Sequence, residues 1–255
     1  MHKKIVVSIP LYFPEDNITQ ILSVLRDKDV ACIVWLNSVI SAELSAMINS
    51  FENVIVLGDH TNVGLSEYLV QSAKYGRDNG YELLLNWDQD TVFTGATIDS
   101  ILNFDQMKLH HNWVQVSFLG KTRWPRKEKI LINSASLFNL STLHAIGYHP
   151  NDLFVDGVDY LFCLKALNLN KKLYSMIVSG IDHSVNQDFI VRKILGITIR
   201  CKNVNNKRFR EILDSHVFVI MKAFFSGNIF FGLKISYFLA YQVFNYCKLC
   251  LLRYY

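Results

Sequence analysis

The 255-residue chain is 51% hydrophobic and 19% charged, with 12 Gly and 4 Pro. This excludes collagen-like, low-complexity and disordered chains, and the length suits one large domain or one domain with an appendage. The formal net charge of +4 conceals a division: residues 1–188 carry 15 Lys/Arg against 20 Asp/Glu, whereas residues 189–255 carry 11 against two, Glu211 and Asp214. The expectation is an acidic working domain, 1–188, followed by a basic, aromatic and helical region, 189–255, facing something anionic.

Strand and helix patterns alternate from the start. Ile5–Ile9 is a β-branched run closed by Pro10, followed by Ile18, Ile21, Leu22 and Leu25 at helical spacing. Ala31–Leu36 predicts a second strand, Ser41 caps a helix carrying Leu44, Met47 and Ile48, and Asn53–Leu57 predicts a third strand. Leu65–Asn79 has the period of a long helix, and Glu82–Asn86 predicts a fourth strand ahead of a helix near Thr94. Trp113–Leu119, Lys129–Leu137 and Lys172–Val178 read as further strands. Ser141–Ile146 reads as a capped helix closed by Gly147, and Phe154–Leu167 contains another helix. Short crossovers between alternating elements favour a mainly parallel, helix-covered sheet, whose ligands bind at the carboxyl ends of the strands.

Those ends carry the chemistry. In LLLNWDQDT, Asp88 and Asp90 leave an apolar strand one residue apart, a pairing suited to Mg²⁺ or Mn²⁺; the alternative is a solvated turn capping the next helix. In LFVDGVDYLFCLKA, Asp156 and Asp159 stand i and i+3 at a helix start, so one is a candidate general base, with plain N-terminal capping as the alternative. His183 follows a predicted strand and is a candidate for a metal or a diphosphate. P-loop, dinucleotide-binding, nucleophile-elbow and H-E-x-x-H patterns are missing.

The five cysteines are scattered and odd in number, and Cys247-x-x-Cys250 lacks a second ligand pair, so neither a disulfide framework nor a zinc site is expected. The apolar run after Lys3 and Lys4 is too short for a signal peptide, which makes the cytoplasm the expected compartment. Arg192–Arg210 holds seven Lys/Arg and no acid. Behind it, Val217–Phe225 and Ile229–Phe244 are rich in Phe and Tyr but carry Lys222 and Lys234, a pattern for a membrane interface rather than a span. A helical pair packed on the core, or a homo-oligomer contact, is the alternative. No nucleic-acid reading module is present, and no nucleic-acid partner is expected.

Together these stretches resemble the family 2 glycosyltransferases, and most closely the rhamnosyltransferase-type branch that builds bacterial surface polysaccharides such as lipopolysaccharide O-antigen and capsule. The resemblance covers most of residues 4–188: IVVSIPLY, Asn62-Val63-Gly64, the Asp-Gln-Asp form of a D-x-D motif, and 132–166, its most specific stretch. It implies a GT-A-like (Rossmann-like) α/β fold with a mainly parallel mixed sheet flanked by helices, and a C-terminal helical basic and aromatic tail. It further implies Mn²⁺ or Mg²⁺ and inverting transfer of a sugar from a nucleotide-diphosphate sugar to an acceptor hydroxyl. Rhamnose is the best single donor sugar and a lipid-linked oligosaccharide the acceptor, at the inner face of a bacterial plasma membrane. By motif, Asp90, Asp88 and His183 would serve the metal. Pro10, Tyr12, Asn37, Asn62, Gly64, Trp87 and Asp88 would line the nucleotide-sugar pocket, and Asp156 or Asp159 would supply the base, with Asp156 favoured. The chain departs from the family at Leu36, where an Asp is usual, at Asp156-Gly157 in place of Glu-Asp, and at Ala135 in place of a more usual Gly. Two other readings compete. LLLNWDQDTV also fits the nucleophile motif of haloacid-dehalogenase-like phosphatases, and the departures would suit a degenerate, non-catalytic partner in a polysaccharide-assembly complex.

Overall fold

A computed structural model describes residues 5–14, 17–182, 189–194 and 197–254. The chain forms two compact units, residues 1–183 and 184–255.

The first unit is built on an eight-stranded sheet. Its strands are β1 (Ile5–Leu11), β2 (Ala31–Leu36), β3 (Val54–Leu57), β4 (Leu83–Asn86), β5 (Trp113–Ser117), β6 (Arg126–Glu128), β7 (Ser136–Asn139) and β8 (Lys172–Ser175). They lie in the order β3-β2-β1-β4-β7-β5-β8-β6. All are parallel except β7, which runs against β4 and β5, and β6, which runs against β8. The flanking helices are α1 (Ile18–Asp27), α2 (Ala42–Asn49), α3 (Gly64–Asp78), α4 (Gly95–Leu102), α5 (Leu140–Ala145) and α6 (Val158–Asn168).

Apolar runs make the central strands. Val6, Ile9, Leu11, Ile33 and Val34 have no exposed surface, so β1 and β2 are covered on both faces, as a helix-flanked parallel sheet requires. The helical spacing of Ile18, Ile21, Leu22 and Leu25 becomes the buried face of α1. The chain steps outward from β1 to β2 and β3, then returns to lay β4 on the other side of β1. That reversal opens a crevice between the carboxyl ends of β1 and β4.

Three details differ from the sequence reading. The run Lys129–Leu137 is not one strand: between β6 and β7 the backbone of Asn133 is spent on side chains, its N–H on Asp159 and its C=O on Asn86, and Ala135 adopts φ +47°. Asn139, rather than Ser141, caps α5, accepting from the N–H of Thr142 at 3.0 Å. The strand from Lys172 ends at Ser175, after which Leu119 and Ile177 make a lone bridge.

The second unit opens with an antiparallel pair, β9 (Phe189–Ile194) and β10 (Ile197–Lys202), which the charge reading of that basic segment did not anticipate. Helices α7 (Asn206–Phe225) and α8 (Ile229–Tyr254) follow. Cys201, Leu249 and Leu252 form its small core, and Phe209 stacks on Tyr246 at 3.7 Å. All five cysteines are free, and among the described residues no helix is long and apolar enough to cross a membrane.

His149 is a buried histidine of the first unit. It stacks on Phe162 at 4.1 Å and meets the edge of Phe138, and neither ring nitrogen has a hydrogen-bond partner. Burial, helped by the positive charge of Lys165, holds its pKa down at about 3, against 6.5 in free solution. The unfolded chain therefore takes up a proton below pH 6.5 that the folded chain refuses, and stability falls with pH from there towards 3. Between pH 6.5 and 5 the parent should lose about 2 kcal/mol more than His149→Phe, read by urea denaturation at each pH.

Candidate active site

β1 leads into Tyr12 and Phe13, whose exposed rings meet edge to face at 4.6 Å. Phe13 takes φ +45° and its N–H donates to Ser38 Oγ at 2.8 Å. Pro10, half-buried, pairs in register with Trp35. Across the crevice, Gln89 closes a two-bond clasp on the backbone of Tyr12. Its Oε1 accepts from the Tyr12 N–H at 2.8 Å and its Nε2 donates to the Tyr12 carbonyl at 2.9 Å. Asn17 Nδ2 holds the Gln89 carbonyl from the other side at 3.1 Å.

The two acids of the motif flank this clasp, both half-buried, in a turn closed by the Thr91 N–H on the Asp88 carbonyl. The sequence reading weighed the acids and passed over the glutamine between them. The available signal was chemical: an amide can accept from the N–H and donate to the C=O of one residue, which a carboxylate cannot. Trp87 has no exposed surface; its indole N–H donates to the Thr91 carbonyl at 2.7 Å and its ring packs on Phe93. It therefore shapes the turn from within the core and does not line the crevice.

At the end of β2, buried Asn37 donates its N–H to the Leu11 carbonyl and accepts the Val63 N–H on Oδ1 at 3.3 Å. Asn62 Oδ1 accepts from the Gly64 N–H at 3.0 Å. The two asparagines thus set the turn that enters α3. Gly64 has φ +79°, and a Cβ there would come within 2.6 Å of the Phe154 carbonyl oxygen and ring. Leu65 N–H and Ser66 Oγ donate to the Phe154 and Leu153 carbonyls at 2.7 Å each. The start of α3 is thereby locked to the segment leading to Asp156. Leu36 belongs to the apolar core, which accounts for the missing carboxylate at that strand end.

Gly157, at φ +74°, begins α6 and puts Asp159 in its first turn. The left-handed backbone accounts for a glycine here, since a residue with a Cβ would be strained. Asp159 Oδ1 accepts the Asn133 N–H at 3.2 Å, and Asn133 lies buried beside it with neither side-chain polar atom partnered. A chain of buried bonds leads back to the sheet: Tyr68 OH donates to Asn86 Oδ1 at 2.7 Å, and Asn86 Nδ2 donates to the Asn133 carbonyl at 3.0 Å. Burial pushes the Asp159 carboxyl up to about 7; the charges of Asp88 and, more weakly, Asp156 add to this, and the Asn133 bond opposes it.

Asp88, Asp156 and Asp159 therefore share one electrostatic field, while His183 lies outside the described residues. Among the described residues no three or more ligating side chains cluster tightly enough to hold a metal alone. The donors present still fit Mg²⁺ or Mn²⁺, which take one or two carboxylates together with substrate phosphate oxygens and water. Burial is the main cause of the raised Asp159 pKa, and the negative charge of Asp88 and Asp156 that adds to it is the part a cation would relieve.

Solved structures with a similar fold include S. aureus TarS residues 1–349 in complex with UDP-GlcNAc, at 15% identity and TM-score 0.53, covering 86% of this chain and 66% of that one. S. aureus TarS itself, at 16% identity and TM-score 0.55, is matched over 86% of this chain and 39% of that one. GalNAc-T7 with UDP, GalNAc and Mn²⁺, at 10% identity and TM-score 0.52, is matched over 68% and 41%. The chain thus spans less than two thirds of the length of each of these structures. No protein-family model and no curated protein matches the chain. The first unit is accordingly a mixed α/β sheet flanked by helices, resembling GT-A glycosyltransferases in fold.

Two substitutions test this geometry. Gly64→Ala should destabilise the protein by at least about 2 kcal/mol, because it adds a left-handed strain to a backbone clash. Asp159 keeps its proton to about 7 when folded and only to 3.8 when unfolded. Its ionisation therefore costs stability increasingly as the pH rises from 3.8 through 7. Asp159→Asn should be more stable than the parent by about 1–2 kcal/mol at pH 8 and no more stable at pH 4, read by denaturant titration.

Proposed function

We propose that the protein is a glycosyltransferase that moves a sugar, with rhamnose the favoured candidate, from a nucleotide-diphosphate donor to a hydroxyl of a lipid-linked surface-polysaccharide acceptor, with inversion at the anomeric carbon. The observation that carries the reading is the pair Asp88 and Asp90 at the end of β4, clasped through Gln89 to the end of β1, with Asp88 within the field of Asp159. The fold likeness supports it, as do the nucleotide and nucleotide-sugar named in the TarS and GalNAc-T7 complexes.

In this reading the nucleotide lies in the crevice beside Pro10, Tyr12 and Asn37, with Asn62 and Gly64 shaping its far wall. Asp90 and Asp88, with His183, would hold Mn²⁺ or Mg²⁺, which when bound supplies charge neutralisation for the departing diphosphate. The acceptor oxygen bonds to the anomeric carbon as the bond from that carbon to the diphosphate oxygen breaks, the diphosphate leaving with the electron pair. The acceptor proton passes to a carboxylate. Asp156 is the better base, since Asp159 already holds a proton near neutrality and its Oδ1 is engaged by Asn133. Asp159 then fixes the acceptor side of the site.

An anionic acceptor finds support in the loop after β5. Lys121 and Arg123 are exposed there, with Trp124 70% exposed next to Arg123, and Arg126 and Lys127 are exposed in β6, which the loop enters. Because β5 runs parallel to β4's direction, this loop leaves the same sheet edge as Asp88. The phosphatase reading draws no support from the topology, because Asp88 and Asp90 follow the fourth strand, not the first. An enzyme of this kind would work at the inner face of the plasma membrane as a peripheral protein.

The test is a thermal-shift panel of nucleotide diphosphates and their sugars with and without Mn²⁺. One nucleotide at about 100 times its dissociation constant should add about 2.7 kcal/mol of stability. That gain should require metal and vanish in Asp90→Ala. Absence of any shift in folded protein would overturn the reading. With donor and acceptor in hand, Asp156→Asn should lower kcat by about 10²–10⁴ with little change in donor KM.

A further inference from the structure

The tip of the α7–α8 hairpin exposes a group of large apolar side chains that the proposed transfer does not use. Phe225 is 88% exposed and Phe230 80%, with Phe224 and Ile229 half-exposed beside them. The tip is firmly built. Asn228 N–H donates to the Ala223 carbonyl at 2.9 Å, and Gly227 N–H, at φ +75°, donates to that of Phe224 at 3.0 Å, a Schellman closure of α7. Phe224 lies against Gly232, where a Cβ would come within 3.2 Å of its ring. Four bulky apolar groups held rigidly in water are costly unless something covers them.

The charges identify what covers them. From Ser215 to the end of the chain there is no acidic residue, and Lys222 and Lys234 stand on either side of the tip. Each lysine folds back along its own helix, away from the tip: Lys222 Nζ lies over the Phe218 ring at 5.2 Å and Lys234 Nζ over the Phe238 ring at 6.0 Å. At 1.5 Å of rise per residue, Phe218 is about 10 Å behind Phe225 along α7. A rigid apolar tip with ammonium groups set about that far behind it matches the depth at which interfacial helices sit, with rings among the acyl chains and lysines among the phosphates.

We propose that this hairpin tip is a wedge that enters an anionic lipid bilayer, Phe224, Phe225, Ile229 and Phe230 inserting and Lys222 and Lys234 binding headgroup phosphates. The proposal deepens the peripheral-membrane part of the proposed function by naming the element and the lipid chemistry, and it needs no transferase activity. A second copy of the chain fits the face less well, because two such hairpins would bring lysines together with no acid to meet them.

The test is flotation of the full chain with vesicles of phosphatidylcholine alone or mixed with phosphatidylglycerol, alongside light scattering of the protein without lipid. The parent should float with the anionic vesicles, and less so as salt rises. Phe225→Ser/Phe230→Ser should lose binding while keeping the parent's far-UV spectrum, and Lys222→Gln/Lys234→Gln should weaken it about thirty-fold. The proposal is overturned if the parent fails to float, if the Phe225→Ser/Phe230→Ser variant floats as the parent does, or if that variant instead dissociates a lipid-free dimer. The nucleotide panel on the same protein reads the donor site independently, so either reading can fail alone.

Discussion

Asn86 is the point on which the first unit's working edge depends. A buried amide at the end of a parallel strand must find partners on both its oxygen and its nitrogen, or it costs more than it contributes. Here the oxygen takes the Tyr68 hydroxyl from α3 and the nitrogen serves the Asn133 carbonyl from the loop before β7. The N–H of that same Asn133 then engages Asp159 in α6. One residue thus ties a helix, the central sheet and an irregular loop to a carboxylate, immediately ahead of the turn that carries Asp88 and Asp90.

The same edge concentrates negative charge in a place that burial makes unfavourable for it. Asp159 responds by holding its proton, and the acids around it keep their spacing because backbone donors and the Gln89 clasp fix their turns. Sites of this kind trade stability for poise: carboxylates crowded at a buried edge cost the protein stability, and the proposed cation and diphosphate would relieve that cost. The departures from the resembled family fit this picture. Leu36 serves the core, and Gly157 serves a left-handed backbone, so each has a packing reason that leaves the remaining acids in place.

The second unit follows a different logic. Its core is small, and much of the apolar surface of α7 and α8 faces outward. A helix that is apolar nearly all round expects partners on every side. From residue 189 onward the acids are Glu211 and Asp214, in the first half of α7, against 11 Lys/Arg, a balance that suits the anionic partner proposed above. The acidic first unit and the basic second unit thus differ in charge as well as in architecture.

Most of the fold was legible in the chain itself. The apolar runs at Ile5, Ala31 and Leu83 and the 3–4 spacing at Ile18 and Leu65 became the expected strands and helices, because burial follows hydrophobic period directly. The position of Asp88 and Asp90 at a strand end was legible too, and it made them candidates because ligands in such sheets bind at the carboxyl ends of strands. What the sequence could not determine were the contacts between distant residues. The partnering of Gln89 with Tyr12, of Asn133 with Asp159 and Asn86, and of Gly64 with Phe154 spans long stretches of chain, and no local period encodes it. For the same reason the run Lys129–Leu137, β-like by composition, yields an irregular loop, and Trp87, placed in the pocket by its position, is drawn into the core. Local pattern determines which segments are apolar; the need to pair every buried polar group, met only in three dimensions, decides where they go.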